Sequence, residues 1–313
     1  MERIVLKVGG NELDDAGFVS GLIETLREMW QARAVAVVHG GGKAIARLQE
    51  RLSLQPRFVD GLRVTDDESL DVAEMVLSGL TNKRLVGQLV SGGVAAVGLS
   101  GVDGGLFRVV KMIHDTHDLG WVGEIVETNP AEVEALLSRG VTPVISPISL
   151  GLDGHTYNVN ADHAACALAC ALGAGELAFV SNVPGVLLGM EADGYIRGNG
   201  GGECVPALTP DEVESLIGRG EIRGGMVPKV RSALDALGRG VERVRITNLA
   251  GLVADKGTCF VKRDGGSGGQ REMRKMRARG PKLQCESFAW ATGTKPQVAW
   301  KEEEEVLWAK LRS

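Results

Sequence analysis

The chain has 313 residues, 44% hydrophobic and 24% charged, with a formal net charge of −5 at pH 7. These values fit a soluble globular protein with one large α/β domain or two smaller ones, and they exclude general electrostatic attachment to nucleic acid or an anionic membrane. No apolar run approaches the ~18–20 residues that span a bilayer. Its 44 glycines are twice the usual share of about 7%, while only 13 aromatics occur, so the core must be aliphatic and alanine-based. The five cysteines (Cys166, Cys170, Cys204, Cys259, Cys285) are odd in number and irregularly spaced, and no signal peptide precedes the first strand. A reducing cytoplasm is expected, with Cys166 and Cys170 as small core residues on one helix face.

In chain order, Val5–Gly10 (Val-Leu-Lys-Val-Gly-Gly) predicts a short buried strand that empties into a glycine loop, with Lys7 at its end. Residues 15–31 carry Phe18, Leu22, Leu26 and Met29 at helical spacing. Residues 34–38 predict a second buried strand, ending in His39-Gly40-Gly41-Gly42 and followed by a helix to about Arg51. A long helical pattern covers 66–91, a strand 94–99, a hairpin excursion 105–128, a helix 130–139 and a strand 142–146. Asp162 lies just inside a helix that continues through Ala171. Strand 176–181 leads into Asn182-Val183-Pro184-Gly185. Helices follow Pro210 and Pro228, and a strand covers 242–247.

Strands that alternate with helices predict a mostly parallel sheet covered on both faces, with ligands beyond the carboxyl ends of the strands. Three of those ends carry glycines. After Lys262 the character changes. Residues 263–282 hold seven Lys/Arg against two acids, and Trp290, Trp300 and Trp308 follow with the acidic run Glu302–Glu305. Residues 263–313 are therefore expected to be a flexible C-terminal extension, with a weak terminal helix at 301–311.

No Walker loop and no strand-linked Gly-x-Gly-x-x-Gly appears. What remains is a cleft with several backbone amide sites and a few placed charges. These are Lys7, Arg63 in Gly61-Leu62-Arg63-Val64-Thr65-Asp66, Asp162 in Asn158-Val159-Asn160-Ala161-Asp162, and Lys229 in Gly224-Gly225-Met226-Val227-Pro228-Lys229. Singly, each has an ordinary alternative: a snorkelling strand-end lysine, a surface arginine paired with Asp66 or Asp67, a helix-start carboxylate, an exposed helix lysine. Together they describe phosphoryl transfer. Two lysines and helix N-termini would stabilise the moving phosphoryl group, a carboxylate between them would fix their positions, and an arginine would hold an anionic acceptor. A carboxylate acceptor is already ionised at pH 7 and needs no base, so His39 is expected to shape its loop.

Lys7–Gly10, His39–Gly42, Gly61–Asp66, Asn158–Asp162 and Gly224–Lys229 stand in an order and spacing that resemble the N-acetylglutamate kinases of the amino-acid kinase superfamily. The resemblance covers about residues 2–262. It implies a three-layer α/β/α sandwich around a mainly parallel central sheet, with residues 1–175 as the acetylglutamate-binding and dimerisation lobe and 176–262 as the nucleotide-binding lobe. It implies ATP-dependent phosphorylation of the γ-carboxylate of N-acetyl-L-glutamate, a step of arginine biosynthesis. Lys7 and Lys229 would stabilise the transferring group, with Asp162 organising them, and Gly10 and Gly41 would donate N–H bonds to its oxygens. Gly41, Gly42, Arg63 and Asn158 would hold acetylglutamate. Ser181, Asn182, Val183, Pro184, Gly185 and Val186, with Gly225 and Met226, would border ATP, whose phosphates would carry Mg2+ without a protein ligand.

Three departures qualify the resemblance. Asn182 replaces an aspartate usual in the family, as it does in a neighbouring branch that acts on aminoadipate or glutamate attached to a carrier protein. That branch has a longer segment around the substrate arginine, whereas Gly61–Thr65 is uninterrupted here, which favours free acetylglutamate. A catalytically silent ligand-binding regulator on the same fold is the remaining alternative, and intact Lys7, Asp162 and Lys229 argue against it. The first strand begins close to Met1, without the extra helix of arginine-inhibited hexamers, so a homodimer without arginine feedback is expected. The extension after Lys262 falls outside the family pattern.

Overall fold

A computed structural model describes residues 1–30, 32–59, 61–188 and 203–262; the extension expected at 263–313 lies outside them. The chain divides into two units, Met1–Arg263 and Asp264–Ser313, and the described residues belong to the first. Strand β1 (Glu2–Val8) leads through a 3₁₀ turn (Glu12–Asp14) into α1 (Ala16–Met29), and β2 (Arg33–His39) runs through the glycine loop into α2 (Gly42–Arg51). An antiparallel hairpin, β3 (Arg57–Val59) with β4 (Leu62–Val64), precedes one long helical run: α3 (Asp67–Glu74), a π-helical segment (Met75–Thr81) and α4 (Asn82–Ser91). Then come β5 (Ala96–Gly101), β6 (Phe107–Lys111), β7 (Gly123–Thr128), α5 (Ala131–Ser138), β8 (Thr142–Gly151), β9 (Thr156–Asn158) and α6 (Ala161–Ala171). The second half holds β10 (Glu176–Val180), the small pair β11 (Leu187–Leu188) and β12 (Glu203–Cys204), β13 (Ala207–Leu208) and α7 (Pro210–Gly218). Helix α8 (Met226–Gly238), β14 (Arg243–Thr247), α9 (Leu249–Val253) and β15 (Thr258–Phe260) complete it.

Side chains set most helix starts. Asp15 accepts from the amides of Gly17 and Phe18 to begin α1. Thr209 and Glu212 form a reciprocal capping box around Pro210 at α7. Asn160 and Asn248 cap α6 and α9. Helices α2 and α8 differ: both start at glycines, with no side-chain cap, so their first amides are left for another acceptor.

The main sheet runs β13-β15-β14-β10-β1-β2-β8-β6-β7, with β5 and β9 also paired to β8. Pairing is parallel except at β14–β15, β6–β7 and β8–β9. Strand β1 lies at the centre, where Lys7 stands opposite Val38 of β2 and Phe179 of β10. Because side chains alternate across a strand, Ile4, Leu6 and Val8 pack into one core with α1 and α4, and Val5 packs into the other with α6 and α8. Lys7 points the same way as Val5 and emerges at the strand's carboxyl end, against the starts of α6 and α8. This is the three-layer sandwich with a mainly parallel sheet. Among the described residues no helix is long and apolar enough to cross a membrane.

Two elements differ from the sequence reading. Arg63, in a motif to which the sequence assigns no element, sits on β4, because two strands of three residues are too short to display an alternating pattern. Strand β8 continues beyond residue 146 to Gly151. Pro147 lies where the strand leaves β2, where its register with β5 shifts and where β9 and β6 take over, so the missing N–H falls where no ladder bond is needed.

Candidate active site

Lys7 and Asp162 form an ion pair of 2.8 Å, from Lys7 Nζ to Asp162 Oδ1. Both residues are buried, at 8% and 7% exposure. Two charges at such depth are costly apart, so each secures the other. Asp162 owes its place to Asn160, whose side chain accepts from the Asp162 amide at 2.7 Å and starts α6. Lys229, in the first turn of α8, is half-buried, and burial together with the neighbouring Lys7 pushes its pKa down. Glu12 and Asp162 push it back up. The sequence reading placed Asp162 between both lysines. The structure joins it directly to Lys7 and leaves Lys229 within electrostatic reach, without an ion pair among the described residues.

Gly10 and Gly41 bring the two glycine loops into contact. A methyl group added at Gly10 would lie 2.5 Å from the Gly41 nitrogen and 2.9 Å from the Gly40 carbonyl carbon. Only glycine permits this approach, which sets the amides of the first loop beside the uncapped start of α2. His39 is fully buried and its pKa falls to about 4, chiefly through desolvation. Its Nδ1 donates to Gly40 O at 3.1 Å, and neutral Nε2 then accepts from the Asn82 amide at 3.1 Å. Asn82 is itself fixed by Val144 O at 2.9 Å. His39 therefore braces the glycine loop from behind.

Arg63 lies beside the same loop, donating through Nη2 to Gly42 O at 3.3 Å, with the Phe58 ring 4.7 Å from its guanidinium carbon. The alternative pairing with Asp66 is not made; Asp66 instead faces Arg57 at 3.6 Å and caps Ser69. Asn158 on β9 donates to Thr65 Oγ1 at 3.3 Å, and Thr65 Oγ1 donates to Arg63 O at 3.1 Å, so the two expected substrate residues are linked through a buried threonine. Ser181–Val186 follow β10 at the same sheet end. The Val186 side chain is packed in the core and its amide donates to Thr258 Oγ1 at 2.8 Å, so its side chain does not line the cleft. Gly225 and Met226 open α8.

Sequence reasoning missed Glu12, Gln49, Thr65 and Asn82, all buried polar residues. Glu12 lies over Gly9, where a methyl group would collide with its carboxylate. The one available signal for Gln49 was its helical spacing from buried Ile45.

At the opposite ends of the strands Glu176, at the start of β10, is buried and already paired with Arg33 and Arg245. A cavity of about 270 Å³ there is lined by Met1, Trp30, Leu137 and Arg33, the last already engaged by Glu2 and Glu176 at 3.2 Å each. Among the described residues no group of three or more His, Cys, Asp or Glu side chains is gathered that could hold a metal ion.

The fold and this end of the sheet define a phosphotransferase of the amino-acid kinase type, and residues 2–248 match the amino acid kinase family. The chain belongs to that family. It is 51% identical over 259 residues to an acetylglutamate kinase of Roseiflexus castenholzii, covering 82% of this chain and 93% of the relative. It is likewise 51% identical over 257 residues to an acetylglutamate kinase of Chloroflexus aurantiacus, covering 82% and 95%. Among solved structures, smu.665 from Streptococcus mutans UA159 superposes with a TM-score of 0.69 at 29% identity, covering 83% of this chain and 98% of that one. Carbamate kinase from Giardia lamblia bound to AMP-PNP gives 0.56 at 14% identity, covering 84% and 99%, a likeness of fold alone.

Proposed function

We propose that the chain transfers the γ-phosphoryl group of ATP to the γ-carboxylate of N-acetyl-L-glutamate, giving N-acetyl-L-glutamyl 5-phosphate in arginine biosynthesis. The observation that carries this reading is the buried Lys7–Asp162 pair at the end of the central strand, with Lys229 and two touching glycine loops around it. Its substrate follows from the half-identical acetylglutamate kinases.

A carboxylate oxygen attacks the γ-phosphorus in line, the bond to the β-bridging oxygen breaks, and ADP leaves with its electron pair. No proton has to be removed, since the acceptor is ionised at neutral pH. Charge spreads over the equatorial oxygens during transfer, and Lys7, Lys229 and the amides of Gly10 and Gly41 supply positive potential there. Asp162 holds Lys7 in place, and Glu12 supports the charge of Lys229. The contact between Gly10 and Gly41 sets the backbone amides of both loops side by side, an arrangement suited to phosphate oxygens. Magnesium belongs to ATP and would neutralise its phosphates. Arg63 and Asn158, with Gly41 and Gly42, hold acetylglutamate, and Ser181–Gly185, Gly225 and Met226 border the nucleotide.

The protein acts in the cytoplasm as a homodimer. Met75, Leu80 and Val97 stay exposed on the long helical run and on β5, a strand that pairs only with β8 among those described, and this is the apolar surface we assign to the dimer. Coupled measurement of ADP release with N-acetylglutamate, and with carrier-bound aminoadipate as comparison, tests the activity. Turnover of the second without the first would refute it. Light scattering at assay concentration tests the dimer.

A further inference from the structure

Gln49 is completely buried, at 0% exposure, beside an aliphatic cluster that includes Ile45, Val72 and Val76. A primary amide in such surroundings is costly unless its polar atoms are bonded. Both ends are. Its Oε1 accepts from Arg63 Nη1 at 2.5 Å, and its Nε2 donates to Ser69 Oγ at 3.0 Å. The orientation of the amide is not arbitrary, because a guanidinium can only donate and so must face the carbonyl. Ser69 is held in turn, its backbone amide donating to Asp66 Oδ1 at 3.0 Å.

Among the described residues every acceptor around the Arg63 guanidinium is neutral: the Gln49 carbonyl, the Gly42 carbonyl and the Phe58 ring face. No carboxylate pairs with it among the described residues, although Asp66 lies only three positions away and pairs with Arg57. Gly42 and Gln49 lie two helical turns apart on one face of α2, so one rigid helix supplies both acceptors and begins at the glycine loop. The arginine and the phosphoryl cradle are thereby held by one element.

We propose that Gln49 is the positioning residue of the substrate arginine, a neutral buried acceptor that fixes the Arg63 guanidinium while leaving its charge free for a carboxylate of the incoming amino-acid derivative. The inference rests on the reading that Arg63 binds that carboxylate. An acidic residue at position 49 would fix the guanidinium equally well and also neutralise it. A glutamine does the first without the second.

The experiment compares wild type with Gln49→Glu, Gln49→Met and Arg63→Ala, measuring KM for N-acetylglutamate, KM for ATP, kcat and Tm for each. Gln49→Glu changes one heavy atom and retains the Ser69 contact, with the serine hydroxyl now donating. It is expected to fold with Tm equal to or above wild type, to raise the acetylglutamate KM at least ten-fold, and to leave kcat and the ATP KM within three-fold. Gln49→Met fills the space without an acceptor and should also raise that KM at least ten-fold. A wild-type acetylglutamate KM in a folded Gln49→Glu protein, with Arg63→Ala raised, overturns the proposal and preserves the reading of Arg63. An unchanged KM in Arg63→Ala overturns the reading of Arg63 itself, and the proposal with it. If Gln49→Glu does not fold, Gln49→Met decides: a lowered Tm with unchanged KM means a structural role only and refutes the proposal.

Discussion

Replacing Gly10 with alanine puts one methyl group where the two glycine loops meet. An ordinary carbon contact begins at 3.4 Å, and the new Cβ would stand 2.5 Å from the Gly41 nitrogen and 2.9 Å from the Gly40 carbonyl carbon. The obstacle is backbone on both counts, so no side chain can rotate away, and the loops must part by about 1 Å. Misplacement on that scale at a reacting centre costs on the order of 10²-fold in rate, and the overpacking itself about 1–3 kcal/mol of stability. Gly10→Ala should therefore lower kcat about 100-fold in a protein that still melts cooperatively. Trapping the acyl phosphate with hydroxylamine measures the rate, and denaturant titration measures stability. Gly87→Ala is the control: exposed on α4 and with nothing within 4 Å of an added methyl, it should gain about 0.4–1 kcal/mol and keep full activity. A Gly10→Ala protein with kcat within two-fold of wild type would refute the idea that contact between these loops shapes the phosphoryl cradle.

Other outcomes follow from the charges. Lys7→Met should lower kcat strongly with little effect on the acetylglutamate KM, and Arg63→Ala should act mainly on that KM; steady-state kinetics showing the reverse would exchange their roles. Burial and Lys7 depress the Lys229 pKa, so kcat should fall at alkaline pH below the range of a free lysine as the ammonium loses its proton. Lys229→Arg should move that limb upward, and an unmoved limb in the pH–kcat profile would assign it to another group. His39 is a base whose pKa drops from 6.5 unfolded to about 4 folded. The unfolded chain then binds the extra proton between those values, so stability is unaffected above pH 6.5 and lost as pH falls toward 4. Wild type should lose about 2–3 kcal/mol more than His39→Gln between pH 7.5 and 4.5, and parallel denaturation curves would contradict this.

The sequence alone determined the alternation of strands and helices, the glycine loops at the ends of β1 and β2, and three of the charges that meet there. These features are legible because burial and backbone geometry leave local marks: β-branched runs for central strands, glycine where two backbones touch, Asn160 where a helix begins. Only the tertiary structure decided which charges pair. Lys7 and Asp162 meet because β1 is central and presents Lys7 on the α6 face, a matter of strand order and register that no window of sequence records. The same holds for Glu12 near Lys229, Asn82 behind His39 and Gln49 behind Arg63. Each looks in sequence like a surface polar residue in a helix or turn, and each is buried because its partner arrives from a distant element. Local patterns report what a residue needs from its own backbone. Partners in a buried polar network are set by how the layers stack, and that information exists only once the sheet has formed.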